Sequence, residues 1–274
     1  NLLRAYARAL AGEKGELEET ARRHFTHYEE SWGDYDRNSD EDTHPRIQTE
    51  WLNIREALAW AFTHEPRRAA DWVWALNYYM QMRESFAERR AVLEGGKSAA
   101  ERSGYARGQA NTLKALGDLE VREAHYPLAR ERYTAALSLF EAIPARLGQA
   151  NTLKALGDLS VREADLAAGQ RLYDEALAVY RGVGDSVGLM NTNMSIAQML
   201  RGQGNKDACQ SYEAALQIAD SIPAYANHPV VRGWRKEYQS FCSGAEENSD
   251  NSDDPNALLQ QLFQAFIAVQ SSDQ

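Results

Sequence analysis

Asn111, Lys114, Asp118 and Arg122 are spaced three, four and four residues apart. On a helix that spacing stacks them along one face. An amide, an ammonium, a carboxylate and a guanidinium in one row offer donors and acceptors for peptide amides or a partner's carboxylate. The same residue types return forty positions later as Asn151, Lys154, Asp158 and Arg162. Both rows sit in a repeated sentence, GQANTLKALGDLEVREA at 108–124 and GQANTLKALGDLSVREA at 148–164, identical at sixteen of seventeen positions. Two readings compete. In one, the polar row is a doubled rung of a binding ladder. In the other, Lys114–Asp118 and Lys154–Asp158 neutralise each other on a solvated face, and the repetition records a recent duplication.

Covalent chemistry has little support elsewhere. His24 and His27 lie three apart on a charged segment, but two ligands do not make a metal site. His44, His64, His125 and His228 share no motif. The acidic run Asp40-Glu41-Asp42 lacks the spacing and glycine of a calcium loop. No nucleophile elbow, zinc-protease motif or Cys–His arrangement is present, and no G-x-x-x-x-G-K-[ST] phosphate loop. The expectation is a chain with no catalytic residue, no metal and no cofactor. Cys209 and Cys242, without framework spacing, read as free thiols in a reducing, cytoplasmic compartment, with a long-range disulfide as the alternative.

The elements that must hold the polar rows follow from the period. A third, weaker copy begins at Gly188, with Asn191-Thr192 where Asn111-Thr112 and Asn151-Thr152 stand. The second half of each unit also recurs, as Tyr133-Thr134-Ala135-Ala136-Leu137, Tyr173-Asp174-Glu175-Ala176-Leu177 and Tyr212-Glu213-Ala214-Ala215-Leu216. The last interval is 39, so one residue is missing near Gly204. Each unit reads as two helices broken at Ala124-His125 and its equivalents. Tyr126, Ala129, Tyr133, Ala136, Leu137 and Phe140 form one apolar face of the second helix, and Pro127 fits its first turn. The units are 108–147, 148–187 and 188–226, with a divergent one at 68–107. An N-terminal helical segment covers 1–67, with an amphipathic helix at 14–32, a polar loop at 33–45 and an apolar stripe of Trp51, Ile54, Leu58, Ala61 and Phe62. A capping helix covers 227–242, with Val231, Trp234, Tyr238 and Phe241 on one face.

Leu113-x-x-Leu116-Gly117 followed by Ala129-x-x-x-Tyr133, and Leu153-x-x-Leu156-Gly157 followed by Gly169-x-x-x-Tyr173, resemble the tetratricopeptide repeat (TPR) pattern. The period of 40 exceeds the usual 34 of that family, and Glu120 and Ser160 stand where it places a tyrosine. The resemblance implies an all-α helical-hairpin solenoid whose first helices line a concave groove. It puts Asp71, Trp74, Tyr78, Asn111, Lys114, Asp118, Arg122, Asn151, Lys154, Asp158, Arg162, Asn191, Met194 and Gln198 along that groove, facing a protein or peptide partner. Glu50, Asn53, Ile54, Arg55, Ala57, Leu58 and Trp60, then Glu88-Arg89-Arg90, resemble the segment preceding TPR arrays in bacterial STAND-class (NB-ARC-type) signalling NTPases. That resemblance implies a sensor module for a nucleotide-binding domain lying upstream. A freestanding scaffold, or the TPR part of an enzyme catalysing elsewhere, are the alternatives. The chain begins at Asn1, as a piece of a longer protein would.

Bulk properties agree with a binding module. Among 274 residues, 43% are hydrophobic and 26% charged, with a net charge of −10. The acidity excludes a general nucleic-acid surface, and no apolar run is long enough to span a membrane. Residues 243–255 (SGAEENSDNSDDP) read as an acidic linker and 256–274 as an amphipathic helix. Leu258, Leu259, Leu262, Phe263, Phe266 and Ile267 form its apolar face, which must dock, on this array or on a neighbour.

Overall fold

The computed structural model describes residues 12–13, 15–33 and 43–242. The acidic linker and the C-terminal helix, including Leu258 to Ile267, lie outside these residues. The fold is an all-α helical-hairpin solenoid, and the described residues contain no strand. The helices are α1 (Leu17–Trp32), α2 (Thr43–His64), α3 (Pro66–Arg83), α4 (Phe86–Arg102), α5 (Ala106–Arg122), α6 (Tyr126–Ala142), α7 (Arg146–Arg162), α8 (Leu166–Val183), α9 (Ser186–Gly202), α10 (Ala208–Ser221), α11 (Pro223–Ala226) and α12 (Pro229–Cys242). Among the described residues no helix is long and apolar enough to cross a membrane. Of the polar loop expected at 33–45, residues 34–42 lie outside the described residues and 43–45 belong to α2, which starts at Thr43. Pro45 falls in its first turn, where a missing N–H leaves no bond unmade. Two compact units divide the chain between Leu159 and Ser160, inside α7.

In the first unit, α1 to α3 close around Phe25, Ile54, Leu58, Trp72 and Tyr79, all buried, and Leu116 and Leu119 of α5 join the same core. The stripe expected from Trp51 to Ala61 is inside as predicted, with Phe62 partly buried against it. Caps and turn residues mark the helix starts. Ser85 Oγ accepts from the Glu88 N–H at 3.3 Å, and Pro66 and Pro127 occupy first turns. The α5–α6 hairpin is drawn together by a close approach. A Cβ on Gly117 would lie 2.5 Å from Tyr133 Cε1, inside contact distance, so only glycine lets the ring in.

Packing also explains letters of the repeated sentence that look polar. Thr112 and Thr152 are buried, and their Oγ1 atoms donate to the carbonyls of Gly108 at 2.9 Å and Gly148 at 2.7 Å. Rings of Tyr105 and Phe140 press on those two glycines. In the second unit Thr192, Gly188 and Tyr180 repeat the arrangement, with Thr192 donating at 2.7 Å.

The second unit packs α8 to α12. Asp165 and Asp185 cap α8 and α9 by accepting from the N–H groups of Ala168 and Gly188 at 3.0 and 3.1 Å. Val231, Trp234, Tyr238 and Phe241 of α12 point inward as expected of a capping helix. The free thiols expected at Cys209 and Cys242 are instead bonded, their Cα atoms 5.7 Å apart. Antiparallel-style return of α12 onto α10 brings the start of one helix beside the end of the other, a proximity that sequence separation hides.

The hairpin turns are left-handed at matching positions, with φ of 59° at Ala124, 63° at Ala164 and 68° at Gly204. Each residue ends a helix in a Schellman pattern, for example with the His125 N–H reaching the Glu120 carbonyl at 2.9 Å. Gly204 keeps the forty-residue interval from Ala164, so the residue missing from the last repeat is lost after it, before Tyr212.

Two predictions follow from these turns and the bond. Replacing Ala124 and Ala164 by glycine removes a left-handed Cβ and raises stability by about 0.5–1 kcal/mol each, read from urea midpoints. The double variant Cys209→Ser, Cys242→Ser opens a loop of 33-residue separation. It lowers unfolding free energy by roughly 3–4 kcal/mol if loop entropy dominates; an unchanged midpoint would show the bond to be dispensable.

Candidate interaction face

Asp71, Trp74, Tyr78 and Met82 repeat at three- and four-residue spacing along α3. Trp74 is 42% and Met82 59% exposed, an unusual display for large apolar side chains two turns apart on one helix. Tyr78 is half-buried between them. Helix α5 packs beside α3 and carries the row Asn111, Lys114, Asp118 and Arg122. Arg122 ties the two helices by donating from Nη1 to the Gln81 carbonyl at 3.3 Å. The apolar stripe and the polar row therefore share one face of the first unit.

The polar row is largely self-satisfied. Lys114 Nζ lies 2.9 Å from Asp118 Oδ2, and the Tyr133 hydroxyl donates to Asp118 Oδ1 at 2.8 Å. On α7, Lys154 Nζ lies 2.9 Å from Asp158 Oδ2. Asn151 is exposed beside that pair. At the start of α3, Asp71 accepts from the Tyr105 hydroxyl at 2.6 Å, and Arg67 stacks 4.7 Å from the Tyr105 ring centre. Burial, with Asp71 as acceptor, pushes the Tyr105 hydroxyl up to about 12. These pairings are those of the self-neutralised face, and they leave the aromatic stripe as the readier contact surface.

In the second unit Arg162 and Gln198 are exposed and Asn191 is half-buried. Met194 is corrected: at 3% exposure it is core, packed with Ala197, Ala208, Tyr212 and Ala215. The reason is α12, whose Trp234 and Tyr238 close on that cluster.

Sequence reasoning passed over three features. Glu120, fully buried, stands where a repeat tyrosine was missed; both it and Glu123 are ion-paired by the Arg90 guanidinium. His125 Nδ1 completes the group at 3.0 Å from Glu120. Burial works to raise Glu120, but hydrogen bonds from Arg90 and His125 hold it below the usual carboxylate range. Glu120, Glu123 and His125 have the donor spacing of a cation site. Arg90 already supplies the positive charge there. The second feature is Arg89, 1% exposed in the α4 interior. Subtracting forty from Ala129 would have flagged it, since an arginine stands where a small residue belongs. The third is a carboxyl pair at the α3–α4 turn. Burial and then Glu88 push Glu84 up to about 7, while hydrogen bonds from Ser85 and Glu84 hold Glu88 down and Arg55 Nη1 sits 3.0 Å from it.

No protein-family model matches the chain, and no curated protein matches it in sequence. Among solved structures, the crystal structure of BtubC (BKLC) from P. vanneervenii is similar in fold, with a TM-score of 0.62 at 16% identity over 74% of this chain and 84% of that one. At that identity the likeness concerns the fold alone.

The Glu84 carboxyl gives a pH prediction with a defined sign. Pushed up to about 7, it lies above the ordinary carboxylate value of 4.5, so the folded state favours the proton. The resulting penalty is fully present above about pH 7 and fades as pH falls toward 4.5. Glu84→Gln should therefore raise the urea midpoint at pH 8 and lose that advantage by about pH 4.5, where the two curves should meet.

Proposed function

We propose that the chain is a non-catalytic interaction module of the TPR type, binding a peptide or protein partner on the α3–α5 face. The observation that carries this reading is the exposed stripe of Trp74 and Met82 flanking Tyr78, set beside a row of polar side chains. Exposed aromatic and methionine side chains on a rigid helix surface are the usual anchors of recognition, with polar neighbours fixing register. The Asn–Lys–Asp–Arg rows serve as that rim. Their paired charges give orientation more than affinity.

A wider reading makes this module the recognition part of a bacterial STAND-type signalling ATPase. It rests on the resemblance at Glu50 to Trp60 and Glu88 to Arg90. Several of those residues also have local duties: Asn53 donates to Glu50 at 2.7 Å, Arg55 pairs with Glu88, and Ile54, Ala57 and Leu58 are core. A freestanding scaffold uses the same face and needs no attached NTPase. For location, the cytoplasmic reading has the Cys209–Cys242 bond against it, since disulfides persist mainly in oxidising compartments.

Peptide display against the immobilised full chain tests the face. Selected peptides should lose at least tenfold in affinity to Trp74→Ala and to Met82→Ser, at unchanged helical circular dichroism. A ten-fold loss corresponds to about 1.4 kcal/mol, modest for a tryptophan anchor. Peptides that bind the parent and both variants alike would remove the α3–α5 face from the function.

A further inference from the structure

Lys206 stands at both ends of the Cys209–Cys242 bond. Its carbonyl accepts from the Cys209 N–H at 3.0 Å. Its ammonium donates to the carbonyl of Phe241, the residue before Cys242, at 2.7 Å, and lies 4.4 Å from the centre of the Phe241 ring. Cys209 sits in the first turn of α10, where N–H groups lack intrahelical partners and the helix field is positive. Asp207, at the cap position, makes no side-chain bond to those groups. Both cysteines are half-buried rather than sealed in the core.

The two helices also meet without help from the sulfurs. Val231 of α12 is fully buried, and Trp234, Tyr238 and Phe241 pack on Met194, Tyr212 and Ala215. The Tyr212 hydroxyl donates to Glu237 at 2.8 Å, and Arg201 Nη1 of α9 lies 3.1 Å from the same carboxylate. The Tyr238 hydroxyl donates to Glu213 at 2.8 Å, and Arg235 pairs with Asp220. These contacts run the length of α12, so its seat does not depend on the covalent link.

We propose that Cys209 and Cys242 are a reversible thiol–disulfide exchange site whose substrate is a dithiol reductant, with Cys242 the sulfur attacked and Cys209 the leaving group. This goes beyond the interaction-module reading and does not rest on it. A thiolate of the reductant attacks Cys242 Sγ; the Sγ–Sγ bond breaks and its electron pair leaves on Cys209. Lys206 and the α10 N-terminus stabilise that thiolate, against the opposing charges of Asp207 before it and Glu213 one turn after it. The reductant's second thiol then displaces Cys242 and closes the reductant's own disulfide. Two electrons and two protons pass to the protein, which ends as a dithiol. Because α12 keeps its seat, the thiols remain neighbours, and the reverse exchange restores the bond. The pair is open in a reducing compartment and closed in an oxidising one.

The test has two arms, both on the full chain. In the first, the chain is equilibrated with set ratios of reduced to oxidised dithiothreitol, and its thiols are counted by mass after acid quenching. The bond should open and close reversibly at unchanged helical circular dichroism. In the second, the reduced chain is alkylated with iodoacetamide at pH 7, and peptide mapping follows each cysteine. Cys209 should react at least fivefold faster than Cys242. Lys206→Met should narrow that ratio at least threefold, and Lys206→Arg, which keeps the charge, should preserve it. A chain that never forms the bond, or one that opens only with loss of helix, overturns the proposal; the second result makes the bond a fixed staple of the fold. Equal alkylation rates, a faster Cys242, or a ratio that Lys206→Met leaves untouched overturns it as well.

Discussion

An aromatic ring resting on a helix backbone that has no side chain is the contact from which the rest follows. Tyr133 on Gly117, Phe140 on Gly148 and Tyr180 on Gly188 are instances, each with a ring atom where a Cβ would stand. The contact brings neighbouring helices closer than side chains normally allow. It also aims the ring's polar end. Tyr133 packs on Gly117 and delivers its hydroxyl to Asp118, one residue along. A packing requirement thereby fixes one member of the polar row, and through Lys114 a second. The surface chemistry of α5 is in this sense a by-product of how its hairpin closes.

That coupling explains what could be read from the letters alone. The hairpins, their breaks at Ala124 and Ala164, and the inward face of α12 follow from spacing, because helix periodicity and small-residue positions report backbone geometry directly. The pairing of Lys114 with Asp118 was also legible, being local. What escaped depends on contacts distant in sequence. Met194 occupies a groove position by alignment, yet α12 covers it. Cys209 and Cys242 meet because two helices return alongside each other. Arg90 finds Glu120 and Glu123 thirty residues on, filling a place where the repeat usually sets a tyrosine. In the sequence Arg89 is one letter of a charged triplet, Glu88-Arg89-Arg90, and its burial depends on helices placed around it.

The charges divide by depth. Exposed pairs such as Arg22–Glu19, at 2.8 Å, are ordinary helix-surface contacts that water and salt screen. The less exposed ones gather on α4, where half-buried Arg90 pairs with two carboxylates and buried Arg89 keeps one hydrogen bond, to Asn77. Two adjacent residues of one helix thus meet opposite fates. Desolvation weighs on both: a cation taken out of water is best tolerated when a carboxylate goes with it.

The Cys209–Cys242 bond has a mechanical consequence. It ties the first turn of α10 to the last residue of α12. Tension applied to the chain beyond residue 242 passes through two sulfurs directly into α10. The intervening segment, with its turn at 222–228, is short-circuited and feels none of it. Whatever is attached after α12 therefore pulls on the last hairpin itself, and the capping helix keeps its apolar face seated under strain that would otherwise peel it away first.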